Sequence, residues 1–178
     1  MTGRRRLELD TPRLRLRPCT AADVDALLAL WTDPQGRRWL WDDVVIDRAT
    51  AAERVAASDA SFAAAGWGQW AIEPRERGVL LGAVGLIEID PAVGPEIVYA
   101  LHPAHQGRGY ATEASRAVLA HAFGTLGLAR VPGRTDTPNR QSARVLERLG
   151  MRLEGERSVS GRPTLCYAIT REQLGAGG

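Results

Sequence analysis

A chain of 178 residues with 44% hydrophobic and 25% charged side chains has the composition of one globular domain able to bury a single substantial core. Its net charge of +2 is too small to argue for nucleic acid or an anionic membrane as partner, and no apolar run approaches the roughly 20 residues that cross a bilayer. Cys19 and Cys166 stand far apart without metal-ligand spacing, so reduced thiols are expected; no signal-peptide core follows Arg4-Arg5-Arg6, and a cytoplasmic setting is the expectation.

Leu14 and Leu16 alternate with Arg13, Arg15 and Arg17, the pattern of a half-buried strand that Pro18 ends. Thr20 is placed to cap a helix in which Val24, Leu27, Leu28 and Trp31 recur at helical spacing until Asp33-Pro34 stops it. Residues 34 to 48 read as irregular, and Thr50-x-x-Glu53 has the spacing of a capping box for an alanine-rich helix through about Ala65. The run Trp67 to Glu73, the turn Pro74 to Gly78 and the apolar run Val79 to Ile89 predict a long antiparallel hairpin. Gly94-Pro95 then introduces a strand, Glu96 to Leu101, that delivers the chain to a glycine-bearing loop.

In the helix after that loop, Ala111, Ala114, Val118 and Ala122 fall on one stripe, with Gly124 and Gly127 marking its end. His121 reads as a surface residue of this helix. A short strand over 129–136 is followed by a helix with Pro138 in its first turn and Thr137 as its cap, which runs to Leu149 and is stopped by Gly150. Two strands, about 151–159 and 163–170, close the fold around a Ser160-Gly161-Arg162-Pro163 turn. The order β-α-α-β-β-β-α-β-α-β-β predicts a three-layer α/β (α+β) domain with a mixed, mostly antiparallel sheet and one central βαβ crossover.

The loop His105-Gln106-Gly107-Arg108-Gly109-Tyr110-Ala111-Thr112-Glu113-Ala114 carries the functional signal. The first N–H groups of a helix have no internal acceptor and sit at the positive end of the peptide dipoles, so an anion is their natural partner. Gly107 and Gly109 allow close main-chain approach and left-handed angles. A strand-to-helix turn that uses glycine for geometry alone is the alternative reading. Two other phosphate loops fail on residues: Thr112 stands where a dinucleotide fingerprint needs a small residue, and the chain has no lysine for a Walker motif.

The order Gln-x-x-Gly-x-Ala over 106–111 resembles the acyl-coenzyme A (acyl-CoA) pyrophosphate loop of the GNAT superfamily of N-acetyltransferases, and Tyr-Ala-Thr-Glu-Ala resembles its RimJ/RimL branch. The resemblance implies a single GNAT domain with a core of about 8–171, strands that splay beside the glycine loop, and acetyl-CoA as co-substrate with no metal. It implies that Gln106, Gly107, Arg108, Gly109, Tyr110, Ala111 and Thr112 hold the pyrophosphate, and that a main-chain N–H near Ala100 or Leu101 polarises the thioester carbonyl. Asn139 and Ser142, within an Asn-x-x-Ser-x-x-x-Leu element, are implied for the pantetheine arm; Asn139 as a plain helix cap is the alternative.

Catalysis of this kind needs a base for the amine and an acid for the departing sulfur. Glu96 matches the glutamate that begins the strand in many relatives and is the candidate base, directly or through water, against a solvent-facing carboxylate. Many relatives carry a tyrosine on the following helix as acid; residues 138–149 contain none, and Ser142 is the candidate. The resemblance sets Trp31, Trp39 and Trp41 with Asp42 and Asp43 over the acceptor end, where ring faces and carboxylates suit a cationic amine; packing of these rings onto the core is the alternative. A primary amine on a peptide N-terminus or a small molecule is the implied acceptor, a non-catalytic acyl-CoA sensor the other functional class. The oligomeric state stays open, a homodimer included.

Overall fold

The computed structural model describes residues 7–175 apart from Asp42 and Arg77. Eight strands and six helices follow one another along it. They are β1 (Leu9–Asp10), β2 (Leu14–Pro18), α1 (Val24–Thr32), α2 (Pro34–Leu40), α3 (Arg48–Ala65), β3 (Gln69–Pro74), β4 (Gly82–Glu88) and β5 (Pro95–Leu101), then α4 (Tyr110–Gly124), β6 (Arg130–Asp136), α5 (Arg140–Arg148), β7 (Arg152–Val159), β8 (Arg162–Thr170) and α6 (Arg171–Gly175).

The strands form two antiparallel sheets, one ordered β1-β2-β3-β4-β5 and the other β6-β8-β7. The βαβ unit β5-α4-β6 sets β6 beside β5, but the two strands belong to different sheets and share no ladder, which is the expected splay. They stay close at one level: a Cβ at Gly133 would lie 2.9 Å from Ile97 Cγ2.

Alternation along the strands divides the core between two faces. Leu14, Leu16, Trp70, Ile72, Val84, Leu86 and Ile97 pack with Ala114, Val118, Leu119 and Ala122 of α4 and Leu146 of α5. Ala71 and Ala83 face the other way and pack with Leu27, Leu30 and Trp31 of α1 and Ala51 and Val55 of α3. Helices on both faces make the third layer. Each fully buried leucine contributes about 1.5–3 kcal/mol to this core.

Local chemistry explains where the elements differ from the sequence expectation. Asp33-Pro34 ends α1, as read, but it also starts α2 inside the stretch taken as irregular: Asp33 accepts from Gln35 N at 2.9 Å, and Pro34 occupies the first helical position. The cap of α3 is Asp47, which accepts from Thr50 N at 2.8 Å, so Thr50 lies inside the helix. Ahead of α5, Thr137 donates to Glu156 Oε1 at 3.1 Å, leaving Asn139 as the cap. His121 is buried rather than exposed, its ring edge-on to Trp70 and one ring nitrogen 3.1 Å from Gly66 O. Past 171, where the expected core ends, α6 packs Leu174 against the core.

Candidate active site

Beyond β5 the chain makes a 3-10 turn at Pro103–His105 and then the glycine loop, which opens α4 at Tyr110. Gly107 and Gly109 have φ of 75° and 80°, the left-handed conformation in which glycine alone carries no steric penalty. Gly109 is the N-cap, so the amides of 110–112 begin the helix without intrahelical acceptors. The Gln106 side chain turns back from the loop, its Nε2 donating to Leu101 O at 3.0 Å, and thereby ties the loop to the strand end. Arg108 is exposed.

A residue that sequence reasoning missed braces this loop. Arg13 donates from Nη1 to Arg108 O at 3.0 Å, lies 4.7 Å from the Tyr110 ring centroid, and pairs through Nε with Glu113 Oε2 at 2.6 Å. Burial pushes the Glu113 carboxyl upward, but hydrogen bonds from Thr11 and Arg13 outweigh it and hold the group below its ordinary range. The contacts link positions about a hundred residues apart, so no local pattern signals them.

The carboxyl end of β5 borders the opening. His102 N donates to Leu81 O, and antiparallel alternation then turns Ala100 toward β4 and leaves the Leu101 N–H on the β6 side. Tyr99 shares that strand, and its hydroxyl donates to Ser142 O at 3.0 Å and lies 2.9 Å from Ser142 Oγ. Burial raises the Tyr99 phenol above its ordinary value and outweighs the Ser142 hydrogen bond. The structure thus sets beside Ser142 a tyrosine that α5 itself lacks, delivered from a strand. Asn139 Oδ1 caps α5 by accepting from Ser142 N at 3.2 Å, which is the alternative the sequence left open for it.

Glu96 is not solvent-facing. It is 1% exposed, accepts from Arg134 Nε through Oε2 at 2.6 Å, and accepts from the second guanidinium nitrogen through Oε1. A carboxylate held at both oxygens gives up a charge-assisted pair in order to take a proton, so the expectation of a direct base is corrected. The pair crosses from β5 to β6, where no ladder exists.

The aromatic acceptor wall is also corrected. Trp31 is 3% exposed and lies in the core, edge-on to Trp41 at 5.8 Å. Trp41 and Trp39 are half-buried, and each already carries one of the chain's own cations: Arg54 lies 5.2 Å from the Trp41 centroid and Arg38 lies 4.2 Å from that of Trp39. Asp42 falls outside the described residues. A cavity of about 700 Å³ does lie in this region, lined by Pro34, Arg37, Arg38, Asp43, Ser160 and Arg162. Arg37 Nε pairs with Asp43 Oδ1 at 2.7 Å, and Arg162 pairs with Asp136 Oδ2 at 2.7 Å at the end of β6.

Among the described residues, no cluster of three or more His, Cys, Asp or Glu is arranged to hold a metal, and no helix is long and apolar enough to cross a membrane. Burial pushes the Cys19 thiol up to about 12, which removes it as a nucleophile at neutral pH.

A left-handed glycine loop at a strand-helix junction, beside two splayed strands, defines an acyl-CoA-dependent acyltransferase. The chain belongs to the acetyltransferase (GNAT) domain family, whose match spans residues 13–152. It is 28% identical over 148 residues to the uncharacterized N-acetyltransferase YoaA of Bacillus subtilis, covering 83% of this chain and 84% of that protein. Among solved structures it resembles an acetyltransferase from Agrobacterium tumefaciens, with a TM-score of 0.80, 30% identity, and coverage of 92% and 94% of the two chains. A GNAT-family acetyltransferase from Bacillus anthracis, 22% identical, shares the fold with a TM-score of 0.79 over 93% of this chain and 99% of its own.

Proposed function

We propose that the chain transfers an acetyl group from acetyl-CoA directly to a primary amine, with both substrates bound together. The observation that carries this reading is the left-handed Gly107–Gly109 loop opening α4 beside the gap between β5 and β6. When bound, the thioester supplies an electrophilic carbonyl. The amides of 107–112 hold the diphosphate, and Arg13 keeps the loop in shape through Arg108 O. The Leu101 N–H faces the opening, where a donor stabilises charge on the carbonyl oxygen. With its Oδ1 used for capping, Asn139 retains its amide N–H groups for the pantetheine arm.

Ser142 Oγ gives its proton to the departing sulfur and regains one from water, while the buried Tyr99 phenol, which stays protonated, holds the serine in place by donating to Ser142 O. The amine loses its proton to water, and Glu96 fastens β5 to β6 instead of acting as base. The acceptor is a peptide N-terminal amine or a small amine. A cytoplasmic setting accords with two free cysteines.

The test is thiol release from acetyl-CoA across a panel of amines, with calorimetry for cofactor binding. Amine-dependent release that falls in Ser142→Ala, while coenzyme A binding is retained, is the expected result. Tight binding without release for any amine overturns the transfer reading in favour of an acyl-CoA sensor, and absence of binding overturns the loop assignment.

A further inference from the structure

The cavity between α2 and the turn joining β7 to β8 has a chemistry opposite to the one expected for a cationic amine. Among the described residues, three guanidinium groups, those of Arg37, Arg38 and Arg162, line it against the carboxylate of Asp43. Arg37 donates from Nε to Oδ1 of that carboxylate. The Arg37 hydrogen bond, aided by the nearby charges of Arg38 and Arg162, keeps Asp43 below its ordinary range, so it stays ionised at neutral pH.

Arg162 acts as the brace of the opposite wall. It pairs with Asp136 and donates to Arg38 O at 3.2 Å, which fastens the turn to α2. Arg38 remains: among the described residues no carboxylate pairs with it, and its guanidinium carbon lies over the Trp39 ring, 4.2 Å from the centroid. A guanidinium held over a ring face by its carbon still has N–H groups to offer, and its planar fork is the geometry that receives two oxygens of one anion. The volume, about 700 Å³, is that of a small-molecule site. Asp136 ends β6, so the cavity adjoins the strand that borders the acyl-transfer opening.

We propose that this cavity receives an anionic group, a carboxylate or a phosphate, carried by the same small molecule that presents the amine. The assignment of that molecule as acceptor rests on the acetyl-transfer reading; the anion site itself rests on the cavity alone. Arg38 supplies the bidentate contact, Arg37 and Arg162 supply field and shape, and Ser160 supplies a hydroxyl at the rim.

The experiment compares matched amines on the coenzyme A complex by calorimetry and on the acetyl-CoA complex by thiol release. Tyrosine against tyramine tests a carboxylate, phosphoethanolamine against ethanolamine tests a phosphate, and spermidine and a neutral tripeptide amide serve as the contrasting classes. The anionic member of one pair is expected to bind and turn over better, and which pair responds identifies the oxygen acid. Arg38→Gln lowers binding and kcat/KM for that member by roughly tenfold to a hundredfold, the range for a hydrogen bond to a charged group. Ser160→Asp, which sets a negative charge on the opposite wall at a position with φ of 50° that aspartate tolerates, acts in the same direction.

Preference for spermidine, for the tripeptide, or for the neutral member of both pairs overturns the anion site while leaving acetyl transfer standing. Indifference of the anionic member to both substitutions does the same. Arg38-dependent binding of an anionic amine with no thiol release from any amine upholds the site and sinks the transfer reading. Neither binding nor release sinks both.

Discussion

Removing Arg134 should unfold the protein more readily than any single truncation on its surface. The Glu96 carboxylate is 1% exposed and both its oxygens are committed to the Arg134 guanidinium, so Arg134→Met leaves a charge in the interior with no partner. Breaking a buried pair from one side costs about 3–5 kcal/mol, against a total stability of about 5–15 kcal/mol for an ordinary domain. Arg134 itself keeps 21% exposure, which admits some water and sets the expectation at the lower end of that range. Urea unfolding at pH 7, followed by fluorescence of the five tryptophans, measures the shift in midpoint at constant slope. The double variant Glu96→Met with Arg134→Met should recover most of the loss, because an apolar pair of similar volume has no desolvation to offset. A loss below about 1 kcal/mol in the single variant, or a double variant no more stable than the single, refutes the account of a buried brace. The same account predicts that Glu96→Gln, which can still accept from Arg134, retains most of its turnover, whereas removal of a general base costs about 10²–10⁴ in rate.

Gly109→Ala forces a left-handed angle on a residue with a Cβ, at about 1–2 kcal/mol, and should weaken coenzyme A binding in calorimetry more than Arg108→Ala does; equal affinity for the glycine variant counts against the loop. Tyr99→Phe removes the hydroxyl that holds Ser142 and should lower kcat with little change in the KM for acetyl-CoA, and an unchanged kcat would show that other contacts position Ser142. Arg17→Met tests the tie between β2 and the start of α1. Burial pushes Asp23 upward, but hydrogen bonds from Arg17 and Thr20 prevail and leave its folded value depressed. A depressed carboxyl stabilises the fold above its unfolded value of about 3.9 and loses that contribution as pH falls through the folded value. The stability gap between wild type and Arg17→Met should therefore be full at pH 6 and narrow below about pH 4; a gap that is flat with pH contradicts the sign.

The parts of the site that were legible in the sequence are those encoded by backbone. Gly107 and Gly109 declare a left-handed loop because few other residues adopt it, and the alternating strand before it and the alanine stripe after it place that loop at a strand-helix junction. What the side chains do depends on partners that the fold brings from afar. Glu96 has the same neighbours in sequence whether it is a base or half of a buried pair, and the difference lies in Arg134, on the other side of the crossover. Trp31, Trp39 and Trp41 form one cluster in the sequence. The structure sends Trp31 into the core and caps the other two with arginines, because helical spacing turns one ring inward while the chain from α2 to α3 keeps the rest at the surface.

The same separation explains how one missing ladder serves two ends. Near Ile97 and Gly133 the strands are in contact and the Glu96–Arg134 pair bonds them through side chains, so the sheets cannot drift apart. Toward the carboxyl ends no such bond is present among the described residues, and the Leu101 N–H is left toward the gap, where a continuous sheet would have consumed it. An opening lined by main-chain donors thus requires a brace set back from it. A buried charge pair suits that position, because it fixes the spacing of two strands without using the main-chain groups that the opening needs.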